Sequence, residues 1–266
     1  MLEAQGLRDF AKYHATENDF VVLVDTEVSP ELARRVCDRH RGVGADGLLS
    51  LNRDGDHFRM VIYNADGSRP EMCGNGFRCA IKHLVDQRLM QPPYRLMTDA
   101  GLLNARTEVG GDGKVSEVSV DLGPPRTPVS EARVEIGGEV IIGHEVSMGN
   151  PHFVVASNNP AEDAQRLGPV LSKHPHFPKQ VNVEFVNFLE QHQVTAVVFE
   201  RGVGITRACG TGACAAAVVG ASLGHTSWPL SVKLPGGTLR IEHLKDGHIE
   251  MTGSVVHVFD GQWPTS

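Results

Sequence analysis

Short runs of β-branched and aromatic residues recur along the chain: Phe20-Val-Val-Leu-Val24, Phe58-Arg-Met-Val-Ile-Tyr63, Val115-Ser-Glu-Val-Ser-Val-Asp121, Val194-Thr-Ala-Val-Val-Phe199 and Leu239-Arg-Ile-Glu242. Several alternate apolar with polar positions, and Gly, Pro and Asp clusters separate them, which is the pattern of half-buried strands. Helical patterning is rarer. Ser29-Pro30 is a fair N-cap and first-turn pair for a helix predicted over Glu31–His40. Two more helices are predicted over Gly76–Val85 and Gly212–Leu223. The last is apolar on nearly every face, so it belongs inside its domain. The fold class read from this pattern is α+β, with strands dominant.

The pattern also repeats once. Asn18-Asp-Phe-Val-Val22 resembles Asn150-Pro-His-Phe-Val-Val155, Asn64 and Glu200 each follow a strand, and Cys73-Gly-Asn-Gly76 matches Cys209-Gly-Thr-Gly212. Asn64 precedes Cys73 by 9 positions and Glu200 precedes Cys209 by 9; Asn18 precedes Cys73 by 55 and Asn150 precedes Cys209 by 59. Three matches in one order at nearly one spacing indicate an internal duplication. The expected domains are 1–113 plus 255–266, carrying Cys73, and 114–254, carrying Cys209. The strand near Val255–Phe259 is expected to return to the first.

Composition narrows the function classes. The 266 residues are 41% hydrophobic and 21% charged with a net charge of -7, so no basic face suggests nucleic acid. No apolar run reaches the roughly 20 residues of a membrane span, and Met1–Lys12 lacks the apolar centre of a signal peptide. The five cysteines (Cys37, Cys73, Cys79, Cys209, Cys214) are an odd number, which argues against a secreted disulfide framework and for a reducing cytoplasm.

Each Cys-Gly-x-Gly stands between a strand and a helix. Glycines there allow a tight turn and close backbone approach to a ligand. Helix N-termini offer unpaired N–H groups and positive potential, suited to a carboxylate and to a thiolate. Two such motifs facing one another across a domain cleft would place a thiol on each side of one bound molecule. Inverting a stereocentre needs a base on one face and an acid on the other, and a reversible inversion needs them to exchange roles. Other readings of the cysteines are weaker. The five residues between Cys73 and Cys79 miss the usual zinc-ligand spacing, although the four between Cys209 and Cys214 do not. No Cys-x-x-Cys supports a redox dithiol. No Gly-x-x-x-x-Gly-Lys-Ser/Thr loop supports nucleotide binding. Cys37, Cys79 and Cys214 read as small buried hydrophobes.

Taken together, Asn18-Asp-Phe20, Cys37-Asp-Arg-His40, Gly42-Val-Gly-Ala-Asp-Gly47, Tyr63-Asn-Ala-Asp-Gly-Ser68, Met72-Cys-Gly-Asn-Gly76, Gly149-Asn-Pro-His152, Asn182-Val-Glu-Phe185, Glu200-Arg-Gly202 and Ala208-Cys-Gly-Thr-Gly212 resemble the diaminopimelate epimerase family over nearly the whole chain. The resemblance implies two similar domains, each a mixed, barrel-like sheet wrapped around a central helix, with the active site in the cleft between them. It implies interconversion of LL- and meso-diaminopimelate without cofactor or metal, and frequently a homodimer. By the same likeness Cys73 and Cys209 are the acid–base pair. The backbones of Gly74, Asn75, Gly210 and Thr211 would hold the α-carboxylate. Asn18, Asn64, Asn150, Asn182 and Arg201, with the Glu200 backbone, would bind the rest of the substrate, and His152 and Glu200 would tune proton transfer. Without that likeness the asparagines would be read as turn formers.

Three positions depart from the family's usual pattern. His14-Ala15-Thr16-Glu17-Asn18 stands where His-Gly-x-Gly-Asn is common, so a positive φ at Ala15 or Glu17 would be strained. Ile205 replaces a glutamate near the second cysteine, and Gly47 stands where some members carry glutamine. These departures leave open a racemase of another amino acid, such as histidine, and more remotely a non-enzymatic metal- or ligand-binding protein of the same fold.

Overall fold

A computed structural model describes residues 7–188 and 190–264. The chain divides into two compact units, 1–120 with 254–266, and 121–253. The boundary expected between residues 113 and 114 falls in a hairpin turn inside the first unit, closed by a Gly110 N–H to Lys114 carbonyl bond of 2.8 Å.

The first unit contains β1 (Leu7–Ala15), β2 (Asn18–Val24), α1 (Pro30–Cys37), β3 (Gly47–Asp54), β4 (His57–Asn64), α2 (Gly74–Asp86), β5 (Tyr94–Thr98), β6 (Gly101–Val109) and β7 (Val115–Asp121). The second contains β8 (Ser130–Ile136), β9 (Glu139–Ser147), β10 (Pro151–Ala156), α3 (Pro160–Leu171), β11 (Asn182–Asn187), β12 (Gln193–Glu200), β13 (Gly204–Thr206), α4 (Gly210–Ser222), β14 (Leu230–Leu234), β15 (Gly237–His243) and β16 (Ile249–Ser254). The final strand, β17 (Val256–Pro264), pairs antiparallel with β1.

Strand pairing makes the duplication explicit. From β1 to β7 the first unit pairs antiparallel, parallel, antiparallel, parallel, antiparallel, antiparallel. The series β9, β10, β11, β12, β14, β15, β16 has the same six relationships in the same order. In each sheet one helix covers the outer face: α1 packs on β3 and β4, α3 on β11 and β12. The other helix occupies the inner face. Residues Asn75–Leu84 of α2 are all buried, with β1, β2, β3, β4 and β17 against them; α4 is enclosed by β9, β10, β11, β12, β14 and β15. A strand between two helices is buried on both faces, which explains the unbroken run Phe20–Leu23 in β2. Val21, Leu23 and Leu48 pack beneath Ala33, Val36 and Cys37 of α1, where each large apolar side chain contributes about 1.5–3 kcal/mol.

Several local expectations shift. Helix α1 ends at Cys37 and not at His40, because the Asp38 carboxylate accepts the N–H groups of His40 and Arg41, both at 2.9 Å, and turns the chain. Helices α2 and α4 begin at Gly74 and Gly210, so the glycines of both motifs lie within a first helical turn. Helix α3 is not foreshadowed by the apolar pattern. Gly42-Val-Gly-Ala-Asp-Gly47 has the spacing of a dinucleotide loop, but it runs from a helix into β3 and not from a strand into a helix, so it lacks that context.

Candidate active site

In the first unit Cys73 is the N-cap of α2, in extended conformation (φ -140°, ψ 116°), and its carbonyl accepts the Phe77 N–H at 2.8 Å. Its sulfur does not cap the helix. Gly76 permits close packing and not a special φ: a Cβ there would lie 3.2 Å from Leu49 Cδ2 and 3.4 Å from Ile62 Cδ1. Asn75 is buried, and its Oδ1 accepts a 2.7 Å bond from Arg78 Nη2. The same nitrogen donates to Thr16 Oγ1 at 3.1 Å. Arg78, at 0% exposure, thereby joins the helix start to the β1–β2 turn.

That turn carries Thr16 and Glu17 at φ 49° and 59°, between the paired residues Ala15 and Asn18. The strain expected at Glu17 is real and extends to Thr16; Ala15 sits in β1 without it. Asn18 opens β2, and its Oδ1 is buried without a hydrogen-bond partner among the described residues. Gly47 pairs with both Phe20 and Asn64, which brings Asn18 and Asn64 to one end of the sheet. A side chain at Gly47 would meet the Tyr63 carbonyl at 2.9 Å and the Phe20 ring at 3.0 Å, so the position has no space for a glutamine. Asn64 Nδ2 donates to Ser68 Oγ at 2.9 Å.

In the second unit Cys209 is the N-cap of α4 (φ -126°, ψ 112°), buried to 5% exposure, with Sγ 3.7 Å from Thr211 Oγ1. Glu200, at the end of β12, accepts a 2.6 Å bond from the Thr206 hydroxyl and also bonds the Cys209 thiol. Burial pushes the Cys209 thiol well above its ordinary range, Glu200 and Glu184 push it further, and the Gly212 N–H and Thr211 hydroxyl only partly oppose them. Burial likewise raises Glu200, against the hydrogen bonds from Thr206 and Cys209. The carboxylate missed at Ile205 is thus not missing from the site. Ile205 is exposed, whereas its neighbour Thr206 fixes Glu200.

His152 lies at 1% exposure with Nε2 3.0 Å from Asn150 Oδ1 and Nδ1 2.7 Å from Glu184 Oε1. Asn150 Nδ2 reaches Thr211 Oγ1 at 3.3 Å. Asn182 Oδ1 accepts the Arg201 backbone N–H at 2.9 Å, and the exposed Arg201 guanidinium bonds the Lys179 carbonyl at 3.2 Å. The second unit therefore gathers Asn150, His152, Cys209, Thr211 and Glu200, with Asn182 pinning the Arg201 backbone. Sequence reading missed Glu184, Thr206 and Arg78. Glu184 did leave a signal, as a lone carboxylate within Val183-Glu-Phe-Val186.

The other three thiols have no such setting. Cys37, Cys79 and Cys214 are buried; burial raises Cys37 to about 12 and raises Cys79 as well. Among the described residues no group of three His, Cys, Asp or Glu side chains is arranged to hold a metal ion, and no helix is long and apolar enough to cross a membrane.

Comparison with known proteins bears on this arrangement as a whole. The family model for diaminopimelate epimerase matches residues 10–128 and 145–258. The chain is 44% identical to the diaminopimelate epimerase of Desulforudis audaxviator, over 96% of this chain and 99% of that one. It is 42% identical to that of Moorella thermoacetica, with the same coverage of each. Among solved structures, a hydroxyproline epimerase from Agrobacterium vitis aligns with a TM-score of 0.69 at 16% identity, covering 100% of this chain and 94% of that one. A PhzF-family phenazine biosynthesis protein from Bacillus anthracis aligns at 0.67 and 16%, covering 97% and 99%. These distant structures share the fold, a mixed sheet in two duplicated domains. The sequence relatives and the family model say more: the chain belongs to the diaminopimelate epimerase family.

Proposed function

We propose that this isomerase epimerises LL-2,6-diaminopimelate to the meso form by a two-thiol mechanism, Cys73 and Cys209 acting on opposite faces of one Cα. The observation that carries the reading is the placement of a cysteine as N-cap of the central helix in both units, each followed by the Gly-x-Gly of its motif in the first helical turn. The N–H groups of such a turn suit an α-carboxylate. When the Cα proton leaves, charge moves onto the carboxylate oxygens, and fixed N–H donors at a helix N-terminus stabilise that charge more than the starting state.

The steps balance without a cofactor. One cysteine thiolate takes the Cα proton and becomes a thiol; the opposite thiol gives its proton to the other face and becomes a thiolate. Burial and two carboxyl groups raise the Cys209 thiol, and the two cysteines exchange the roles of acid and base between the forward and reverse directions. Asn18, Asn64, Asn150, Asn182 and Arg201 then receive the remainder of the substrate, with Arg201 gripping the distal carboxylate through paired bonds. His152 and Glu200 tune proton transfer. The free thiols suit the reducing cytoplasm, and a homodimer is part of the same reading, checked by light scattering.

Incubation with LL-diaminopimelate in deuterated water tests the assignment. Meso product carrying deuterium at Cα is expected, in buffer free of metal and pyridoxal phosphate. Inversion of another amino acid, such as histidine, without diaminopimelate turnover would overturn the substrate; dependence on added cofactor would overturn the mechanism.

A further inference from the structure

Glu184 has no role in the steps above, yet it is the most buried carboxyl group of the second unit, at 0% exposure in the middle of β11. It lies directly against the start of α4, since a Cβ on Gly212 would come within 2.8 Å of Glu184 Oε1. An uncompensated carboxylate there would be costly. Among the described residues the side chain that hydrogen-bonds it is His152.

Asn150 presents its amide nitrogen to Thr211 Oγ1 and its carbonyl oxygen to His152 Nε2. A carbonyl oxygen only accepts, so Nε2 carries a hydrogen. One further proton lies between Nδ1 and Glu184 Oε1, on one or the other, and the pair is neutral overall either way. Burial raises the Glu184 carboxyl, against the attraction of His152. At the far end, Thr211 Oγ1 is already an acceptor from Asn150, so its single hydrogen is free to turn to Cys209 Sγ, 3.7 Å away.

We propose that Glu184 is a positioning residue: acting through His152, Asn150 and Thr211, it aims the Thr211 hydroxyl hydrogen at the Cys209 sulfur, which must carry a negative charge for half of the cycle. This rests on Cys209 being an acid–base thiol. The charged or titratable groups around that sulfur are Glu200 from β12 and Glu184 from β11, with His152 from β10 behind Asn150. The relay sets a directed donor against the repulsion from Glu200.

Three substitutions separate this role from simple packing. Glu184→Gln supplies an amide N–H to Nδ1 and preserves the direction of the chain; Glu184→Leu breaks it at the start; Thr211→Val removes the final donor, and Thr211→Ser restores it. The measurement is the pH dependence of Cys209 alkylation by iodoacetamide in the free enzyme, mapped by peptide mass, with thermal melts run alongside. Glu184→Leu and Thr211→Val should shift the midpoint upward by about one unit, tenfold in thiolate at fixed pH, with kcat falling and KM changing less. Glu184→Gln and Thr211→Ser should stay near wild type. A wild-type midpoint in Thr211→Val, or a Glu184→Gln midpoint displaced as far as that of Thr211→Val, overturns the proposal; neither comparison needs Glu184→Leu to fold. Alkylation needs no substrate, so shifted midpoints in an enzyme inert toward diaminopimelate would sink the assigned reaction and leave the relay standing.

Discussion

The two units share a strand order and a cysteine at the mouth of a central helix, but what lies behind each cysteine differs. Five positions after Cys73 stands Arg78; five positions after Cys209 stands Cys214. In the first unit the buried guanidinium ties Asn75 to Thr16. In the second, the corresponding tie between the start of β10 and the start of α4 is a direct bond from Asn150 to Thr211, with His152 and Glu184 behind it. The helices follow suit: α2 buries Arg78, Lys82 and His83, whereas α4 is Ala213-Cys-Ala-Ala-Ala-Val-Val219. Duplication has kept the backbone and changed what is buried behind the motif: a guanidinium bonded to Asn75 and Thr16 in one half, and carboxyl groups that act on Cys209 in the other. Under the proposed two-thiol mechanism, unlike surroundings of this kind would favour unlike protonation of the two cysteines.

The sharpest way to break the comparison is at the sulfurs themselves. Cys73→Ala and Cys209→Ala should each lower epimerisation by on the order of a hundredfold to ten-thousandfold, because losing either face stops inversion. Cys79→Ala and Cys214→Ala should keep most activity. A Cys214→Ala enzyme as inactive as Cys209→Ala would mean that the acid–base thiol of the second half has been misassigned.

A smaller effect is expected at Arg201, which has no counterpart among the substrate-binding residues assigned to the first half. Arg201→Leu should reduce kcat/KM for diaminopimelate about tenfold to a hundredfold, since a charge-assisted bond contributes about 1.5–3 kcal/mol. Arg201→Lys should recover part of the loss, as lysine lacks the planar fork. Wild-type kinetics in Arg201→Leu would move the distal site elsewhere and favour a racemase of a different amino acid.

The smallest effect tests the helices. Arg78→Met leaves Asn75 Oδ1 and the Thr16 hydroxyl without their shared donor, at a cost of about 1–3 kcal/mol in urea unfolding. Cys214→Ala, at the matching position of α4, should cost less. Equal losses would show that Arg78 contributes by filling space and not by bonding.

The broad architecture was legible because its signals are local or repetitive. Continuous apolar strands, the Cys-Gly-x-Gly pair and the spacing around it need no tertiary knowledge. Helix α3 was not legible. Asn159-Pro160 and the acidic Glu162 and Asp163 mark its start, but Gly168-Pro169 near its end reads as a breaker. The structure resolves the conflict through contact: a Cβ at Gly168 would lie 2.6 Å from the Phe199 ring, so glycine is what lets the helix lie on β12. Candidate site residues could be named where side chains of recognised types stood in a motif. Glu184, Arg78 and Thr206 escaped because they act on other side chains, and hydrogen-bond partners distant in sequence leave no periodic trace. The concern over Ile205 arose for a related reason. Sequence counts carboxylates near a cysteine along the chain, whereas Cys209 draws Glu184 and Glu200 from neighbouring strands.

The hairpin tip at Thr16 and Glu17 has a consequence for anyone rewriting this protein. A two-residue tip with both φ values positive is best served by Asn-Gly, and a β-branched residue there is disfavoured. A redesign guided by backbone preference alone would replace both residues and obtain a more relaxed loop. It would also delete the hydroxyl that Arg78 holds and loosen the approach to Asn18, so at this tip the sequence most comfortable for the chain and the sequence most useful to the enzyme are different sequences.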